Sequence, residues 1–218
     1  MKSDNDLRRD VERELEWDPS VDAGAIGVAV KNSVVSLSGQ VSSYADKVSA
    51  ERIAKRVAGV AGLANDIEVK YSSERTDTDI AQAAALALQF DTTLPPGQVK
   101  VIVERGWLTL EGKVDWYYQK SAAEDAVRHL AGVKGIVNRI AVTPQVIPGE
   151  VRKQIEEAFK RSAQVDARQI AVEAQGNKVI LRGTVRSWAE KDEAEMAAWA
   201  APGISEVDNR LNITYASG

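Results

Sequence analysis

Apolar and polar residues along this chain follow two alternating periods, and the same order of periods comes round three times. Each round opens on apolar residues four apart: Leu7, Val11 and Leu15, then Ile80, Ala84 and Leu88, then Val151, Ile155 and Phe159. Positions i, i+4 and i+8 share one side of a helix, so the spacing predicts three amphipathic helices. Ser3 or Asp4, and then Thr78, suit their N-cap positions, and Pro148 stops the strand before the third. The period next drops to two, in Ile26-Val28-Val30, Val99-Val101-Val103 and Ile170-Val172-Ala174. After the turn pairs Asn32-Ser33, Arg105-Gly106 and Gly176-Asn177 the alternation resumes, predicting a hairpin with one apolar face.

A second helix follows in each round. Ser43 with Asp46, and Ser187 with Glu190, have the serine-to-acid spacing of a capping box; the middle round lacks the serine, and Asp115 can serve there. These helices bury Ala50-Ala54-Val57, Ala123-Val127-Leu130 and Ala194-Ala198-Ala201, and Gly59, Gly132 and Gly203 sit where a left-handed cap belongs. A last strand begins at Asn65, Asn138 and Asn209. The order αββαβ makes the last strand parallel to the second, with both helices on one face of a small mixed sheet. The predicted fold class is α+β, in three tandem units.

The repetition extends to identity. Asp6–Tyr71, Asp79–Pro144 and Glu150–Tyr215 align without a gap at offsets of 73 and 71. Residues Val28, Leu37, Gly39, Val41, Lys47, Ala50, Glu51, Gly59 and Asn65 recur at the aligned places in both other copies. The predicted organisation is a first domain over 1–71, a linker over 72–78, a second domain over 79–144, a linker over 145–149 and a third domain over 150–218. A lone unit of this length buries only about 60% of its unfolded surface, so the copies are expected to pack together.

The Leu-x-Gly-x-Val runs at Leu37-Gly39-Val41, Leu110-Gly112-Val114 and Leu181-Gly183-Val185, with Gly59-Val60, Gly132-Val133, Gly203-Ile204 and the three asparagines, resemble the BON domain, named from bacterial osmotically inducible and nodulation proteins. The resemblance covers nearly the whole chain. It implies a non-enzymatic, transport-associated role in osmotic stress, with contacts to phospholipid surfaces or envelope proteins, and it brings no catalytic residues, cofactor or metal.

Composition narrows the chemistry. Zero cysteines and a single histidine, His129, remove thiolate, disulfide and multi-histidine sites. With 28 basic and 32 acidic residues the net charge is −4, which gives no global field for nucleic acid. No apolar run has the length of a signal peptide or a membrane span, so the chain as given reads as soluble and cytoplasmic, or periplasmic if a leader had been removed.

Positions where one copy departs from the other two are the informative ones. Trp107 replaces Val34 and Lys178, Trp116 replaces two serines, Tyr118 replaces two alanines, and Trp199 replaces Lys55 and Arg128. These four aromatics either face a partner or membrane or fill seams between copies. Tyr44, Tyr117 and Trp188, aromatic in every copy, read as anchors beside the helix start. Lys178, Arg182 and Arg186 alternate with the apolar face of their strand and could offer a strip to anionic lipid. The helix Ile80–Phe90 carries no charge, so it is expected against another copy or, in a homo-oligomer, a second subunit. His129 reads as a helix C-terminal cation, the recurring Lys47–Glu51 pairs as solvated surface, and the three asparagines as backbone partners at the strand entry. Gly39, Gly112 and Gly183 read as packing sites. The rival function is a cytoplasmic adaptor or a small-ligand or ion binder using clefts between the copies.

Overall fold

The computed structural model describes residues 2–71, 75–143, 151–162, 165–166 and 168–214. In the first unit, helix α1 (Asp4–Trp17) and a short 3-10 turn (Ala23–Ala25) lead into β1 (Ile26–Lys31), β2 (Val34–Val41), α2 (Tyr44–Arg56) and β3 (Gly62–Val69). The second unit has α3 (Asp77–Phe90), β4 (Val99–Glu104), β5 (Trp107–Val114), α4 (Tyr117–Arg128) and β6 (Gly135–Val142). The third has α5 (Val151–Arg161), β7 (Ile170–Gln175), β8 (Lys178–Val185), α6 (Trp188–Trp199) and β9 (Glu206–Ile213).

Each unit has its own three-stranded sheet, in which the middle strand is antiparallel to the hairpin partner and parallel to the last strand. The expected αββαβ order and mixed sheet are therefore present in all three. The apolar stripes of the first helices are buried in every unit, against Leu37, Leu110 or Leu181 of the central strand. The last strands start three residues before the asparagines, at Gly62, Gly135 and Glu206.

Two local devices orient the first helix. In the first two units its opening aspartate grips the hairpin turn: Asp4 accepts from the N–H groups of Asn32 and Ser33 at 2.8 and 2.9 Å, and Asp77 from Arg105 and Gly106 at 2.7 and 2.9 Å. The second device is the cap, and it corrects the sequence reading. Thr76, not Thr78, caps α3: its hydroxyl accepts from the Asp79 N–H at 3.2 Å while the Asp79 carboxylate accepts from the Thr76 N–H at 3.1 Å. The helix thus starts inside the stretch 72–78 expected to be linker. Residues 72–74, and all of the second linker with Pro148, lie outside the described residues.

The recurring polar residues form one staple rather than solvated pairs. Asn65 lies within β3 and donates to the Lys47 carbonyl and the Glu51 carboxylate, both at 3.2 Å, while its oxygen accepts from the Ile67 N–H. Asn138 and Asn209 repeat all three bonds. Lys47 and Lys191 donate their ammonium groups to the carbonyls of Ile67 and Leu211 at 2.8 Å. Helix and last strand are thereby fixed at the same height in each unit. Burial makes these bonds worth more than surface pairs, because an orphaned partner would be left away from water.

Gly39, Gly112 and Gly183 have φ of 124°, 148° and 129°. A β-carbon at Gly112 would collide with the carbonyl of Gln98, just before β4, and the same clash recurs in the other two units. What approaches each glycine is thus a backbone carbonyl at the hairpin's open end, not a packed helix.

The uncharged helix departs from its expectation. α3 buries only Ile80, Ala84 and Leu88, against its own sheet and α4. Leu86 and Phe90 are 53% and 78% exposed, so among the described residues no other copy covers the outer side. Its lack of charge therefore does not mark a contact with another copy of the chain's own unit, because an apolar composition does not place residues such as Phe90 on the i, i+4 stripe.

Gly112→Ala is expected to lower the unfolding free energy by about 2 kcal/mol or more through strain and the carbonyl clash, and Asn138→Ala by about 1–2 kcal/mol through the lost staple. Urea denaturation followed by circular dichroism measures both.

Candidate functional site

Aromatic residues govern both the seams between units and the exposed surface of the middle unit. At the start of their second helices, Tyr44, Tyr117 and Trp188 each reach into a neighbouring unit. Tyr44 packs against the core of the second unit, with the Ile136 backbone in hydrogen-bonding reach of its hydroxyl. Tyr117 stacks on Trp199 of the third unit, with ring centres 4.7 Å apart and planes 13° apart. Trp188 packs against the core of the first. Trp199, which receives Tyr117, aligns with Lys55 and Arg128 of the other copies, and the Trp188 ring lies under the Lys191 ammonium at 5.4 Å.

Electrostatics at these joints follow from the packing. Burial raises the Tyr44 phenol above its ordinary value, and the Glu124 carboxylate adds to the rise. Burial does the same to Tyr117, with Glu195 of the next unit contributing. Lys55 is held by Glu51 at 3.2 Å and by Asp192 of the third unit at 3.4 Å. Half-burial alone would lower the Lys55 pKa, but Asp192 and Glu51 outweigh it and raise it. Tyr71 adds a further tie by donating its hydroxyl to the Val133 carbonyl across the first seam.

Trp199 therefore occupies a seam, and of the four aromatics singled out from the sequence it is the one that does not belong to an open surface. The other three are exposed: Trp107 by 52%, Trp116 by 41% and Tyr118 by 58%. They do not form one patch. Trp107 starts β5 and lies over Gly135 on the open face of the sheet, while Trp116 and Tyr118 follow its far end, roughly 25 Å away at about 3.3 Å per residue. Trp116 and Tyr118 gain a companion that sequence reasoning missed. Gln119, buried, accepts from the N–H groups of Asp115 and Trp116 and donates its amide to the Thr93 carbonyl. This ties the start of α4 to the loop after α3, so exposed Phe90 shares that end of the unit. The signal for Phe90 was present: it lies two residues past Leu88, off the buried stripe.

The expected basic strip is not a free one. Lys178 bonds Glu206 and lies 3.9 Å from Asp208, and Arg182 bonds Glu173 at 3.1 Å. Arg186 leaves the open face of the sheet and bonds Glu190 at the start of α6, at 3.2 Å. Each cation is met by a carboxylate, so no net positive patch forms there. Cross-strand acids, invisible in a single-strand reading, meet Lys178 and Arg182.

Glu190 is the buried counterpart of Gln119. It accepts from the N–H groups of Asp166 and Arg186 at 2.9 and 2.7 Å, and from the Arg186 guanidinium. Burial pushes its carboxyl up, but those donors more than offset this and leave it below its ordinary 4.5. His129 is exposed at the C-cap of α4. Among the described residues no group of three or more His, Cys, Asp or Glu could hold a metal ion, and no helix is long and apolar enough to cross a membrane.

Comparison with known proteins agrees with the threefold pattern. The model of the BON domain matches residues 3–71, 76–144 and 149–215. Osmotically-inducible protein Y of Escherichia coli (strain K12) is 32% identical over 119 residues, which cover 52% of this chain and 59% of that protein. Less than two thirds of that relative is therefore matched. Two solved structures of CdsD, a structural protein of the type III secretion system of Chlamydia trachomatis, align at 15% identity. One covers 97% of this chain and 94% of its own with a TM-score of 0.28; the other, a C-terminal domain, covers 98% and 100% with a TM-score of 0.27.

Trp199→Ala should cost about 2–4 kcal/mol by emptying the seam beneath Tyr117, and Trp199→Lys, which restores the residue type of the first copy, less; thermal unfolding compares them. A depressed folded pKa contributes stability above the unfolded value and loses it as pH falls through the folded one. Glu190→Gln is thus expected to be less stable than the native chain at neutral pH, with the gap narrowing below pH 4.5 in pH-dependent urea midpoints.

Proposed function

Because this chain belongs to the BON domain family, we propose that it is an association protein of the osmotic-stress response, acting by contact and not by catalysis, whose middle unit meets phospholipid surfaces or envelope proteins. The likeness to osmotically-inducible protein Y supports the stress setting. The observation that carries the contact reading is the exposed aromatic end formed by Trp116 and Tyr118, tied through Gln119 and Thr93 to the loop that follows exposed Phe90. Aromatic rings with one apolar and one polar edge suit headgroup regions and protein interfaces alike. The other two copies carry serine and alanine at the first two of these positions, so the fold does not require aromatics there.

The ion-paired Lys178, Arg182 and Arg186 leave electrostatics a minor part of this contact. Binding through the aromatic end is then governed by buried apolar area and persists at moderate salt.

Sedimentation with phosphatidylglycerol vesicles tests the reading. The native chain is expected to co-sediment, and Trp116→Ser/Tyr118→Ala, which copies the residues of the first unit, to lose at least half of the bound fraction while keeping its melting temperature. Equal retention of both chains would reject the aromatic end as the contact.

A further inference from the structure

We infer that the cleft between the first and second units binds a multiply charged, phosphate-bearing anion. The cleft has a volume of about 420 Å³ and lies where the end of β3 meets the start of α3 and the turns of the second unit. Four cations line it: Lys70, Arg75, Arg105 and Lys134. None of them makes an ion pair among the described residues, whereas the basic residues of the third sheet are met by carboxylates.

The cations are held there by backbone and packing. Arg105 sits on the hairpin turn whose N–H groups are gripped by Asp77. The Lys134 stem lies against Gly106, its N–H donating to the Gly106 carbonyl at 2.8 Å, and the Arg75 stem lies against Gly132. Lys70 is fixed by its N–H bond to the Val41 carbonyl at 2.9 Å. Of the carboxylates nearby, Asp77 accepts from the turn and Asp79 from Thr76, and Asp79 also feels a cation of the cluster, Arg75. α3 also directs its positive end toward this cleft.

Four cations against the one lining carboxylate, Asp77, leave a local excess of positive charge among the described residues that an anion would offset. The equivalent places elsewhere do not gather them. Arg105 aligns with Asn32 and Gly176, Lys134 with Ala61 and Ser205, and Lys70 with Thr143 and Thr214. The cluster is thus particular to one of three comparable junctions, within a chain whose net charge is −4. Two guanidiniums that can bond in pairs and two ammonium groups match a phosphate bearing several charges better than a single carboxylate. The site is separate from the aromatic end and does not rest on it.

Calorimetric titration of the full chain with sodium tripolyphosphate at about 50 mM salt tests this, since weak screening leaves such contacts near full strength. Saturable one-to-one binding is expected, weakened at least about tenfold in Arg105→Gln/Lys134→Gln. It should be unchanged in Lys31→Gln/Lys113→Gln, which removes the same charge from open sheet faces. Melting temperatures establish that both variants fold. Phosphatidylglycerol vesicles identify the source: retention lost in Arg105→Gln/Lys134→Gln and displaced by tripolyphosphate assigns the site to a lipid phosphate, and tripolyphosphate binding without such displacement assigns it to a free one. Unaltered tripolyphosphate binding in Trp116→Ser/Tyr118→Ala separates this site from the aromatic contact. Absence of saturable binding, or equal loss in the two charge variants, overturns the inference.

Discussion

A unit of two helices and three strands is too small to exclude water from its own core edges, and the insertion of one aromatic ring per unit into a neighbour answers that constraint. Tyr44, Tyr117 and Trp188 leave the first turns of their helices and cover apolar residues of another unit. The ring supplies area that a single unit lacks, and helix-start geometry holds it at a fixed height. The Asn–Lys–Glu staple matters because it sets where that helix begins relative to the sheet. A shift of the helix by one turn would withdraw the ring from its seat.

Much of this was legible in the sequence because three aligned copies make each position an experiment repeated twice. The buried stripe of each first helix, the hairpins and the αββαβ order all followed from period and alignment. The staple was not legible: Lys47, Glu51 and Asn65 recur, but sequence spacing pairs the lysine with the glutamate, and the bonds instead run from helix to strand. Trp199 stood out correctly as a departure, yet only the fold could decide between open surface and seam. The carboxylates that meet Lys178 and Arg182 were not legible either, since they lie on adjacent strands whose register the single-strand pattern does not give.

The three units have diverged unequally. The third sheet carries cross-strand ion pairs, and the middle unit holds exposed Trp107, Trp116, Tyr118 and Phe90 together with the turn cations Arg105 and Lys134, while the first unit exposes Trp17. Duplicated folds can let outer copies support a central one that carries the contacts. In this chain the uncharged outer side of α3 belongs to the same unit, which places apolar, aromatic and cationic surface on one module.

The seams run head to tail: the first unit's ring seats in the second, the second's in the third, and the third's in the first. Such a joint uses two different surfaces, so it ends only when the last member returns to the first. Covalent tethering of three members lets the chain satisfy every donor and every seat internally. A shortened chain with two units would keep one unmatched plug and one unmatched socket, and mass action would then drive it into chains of molecules or into cyclic assemblies. The third copy thus closes the cycle of seams within one molecule.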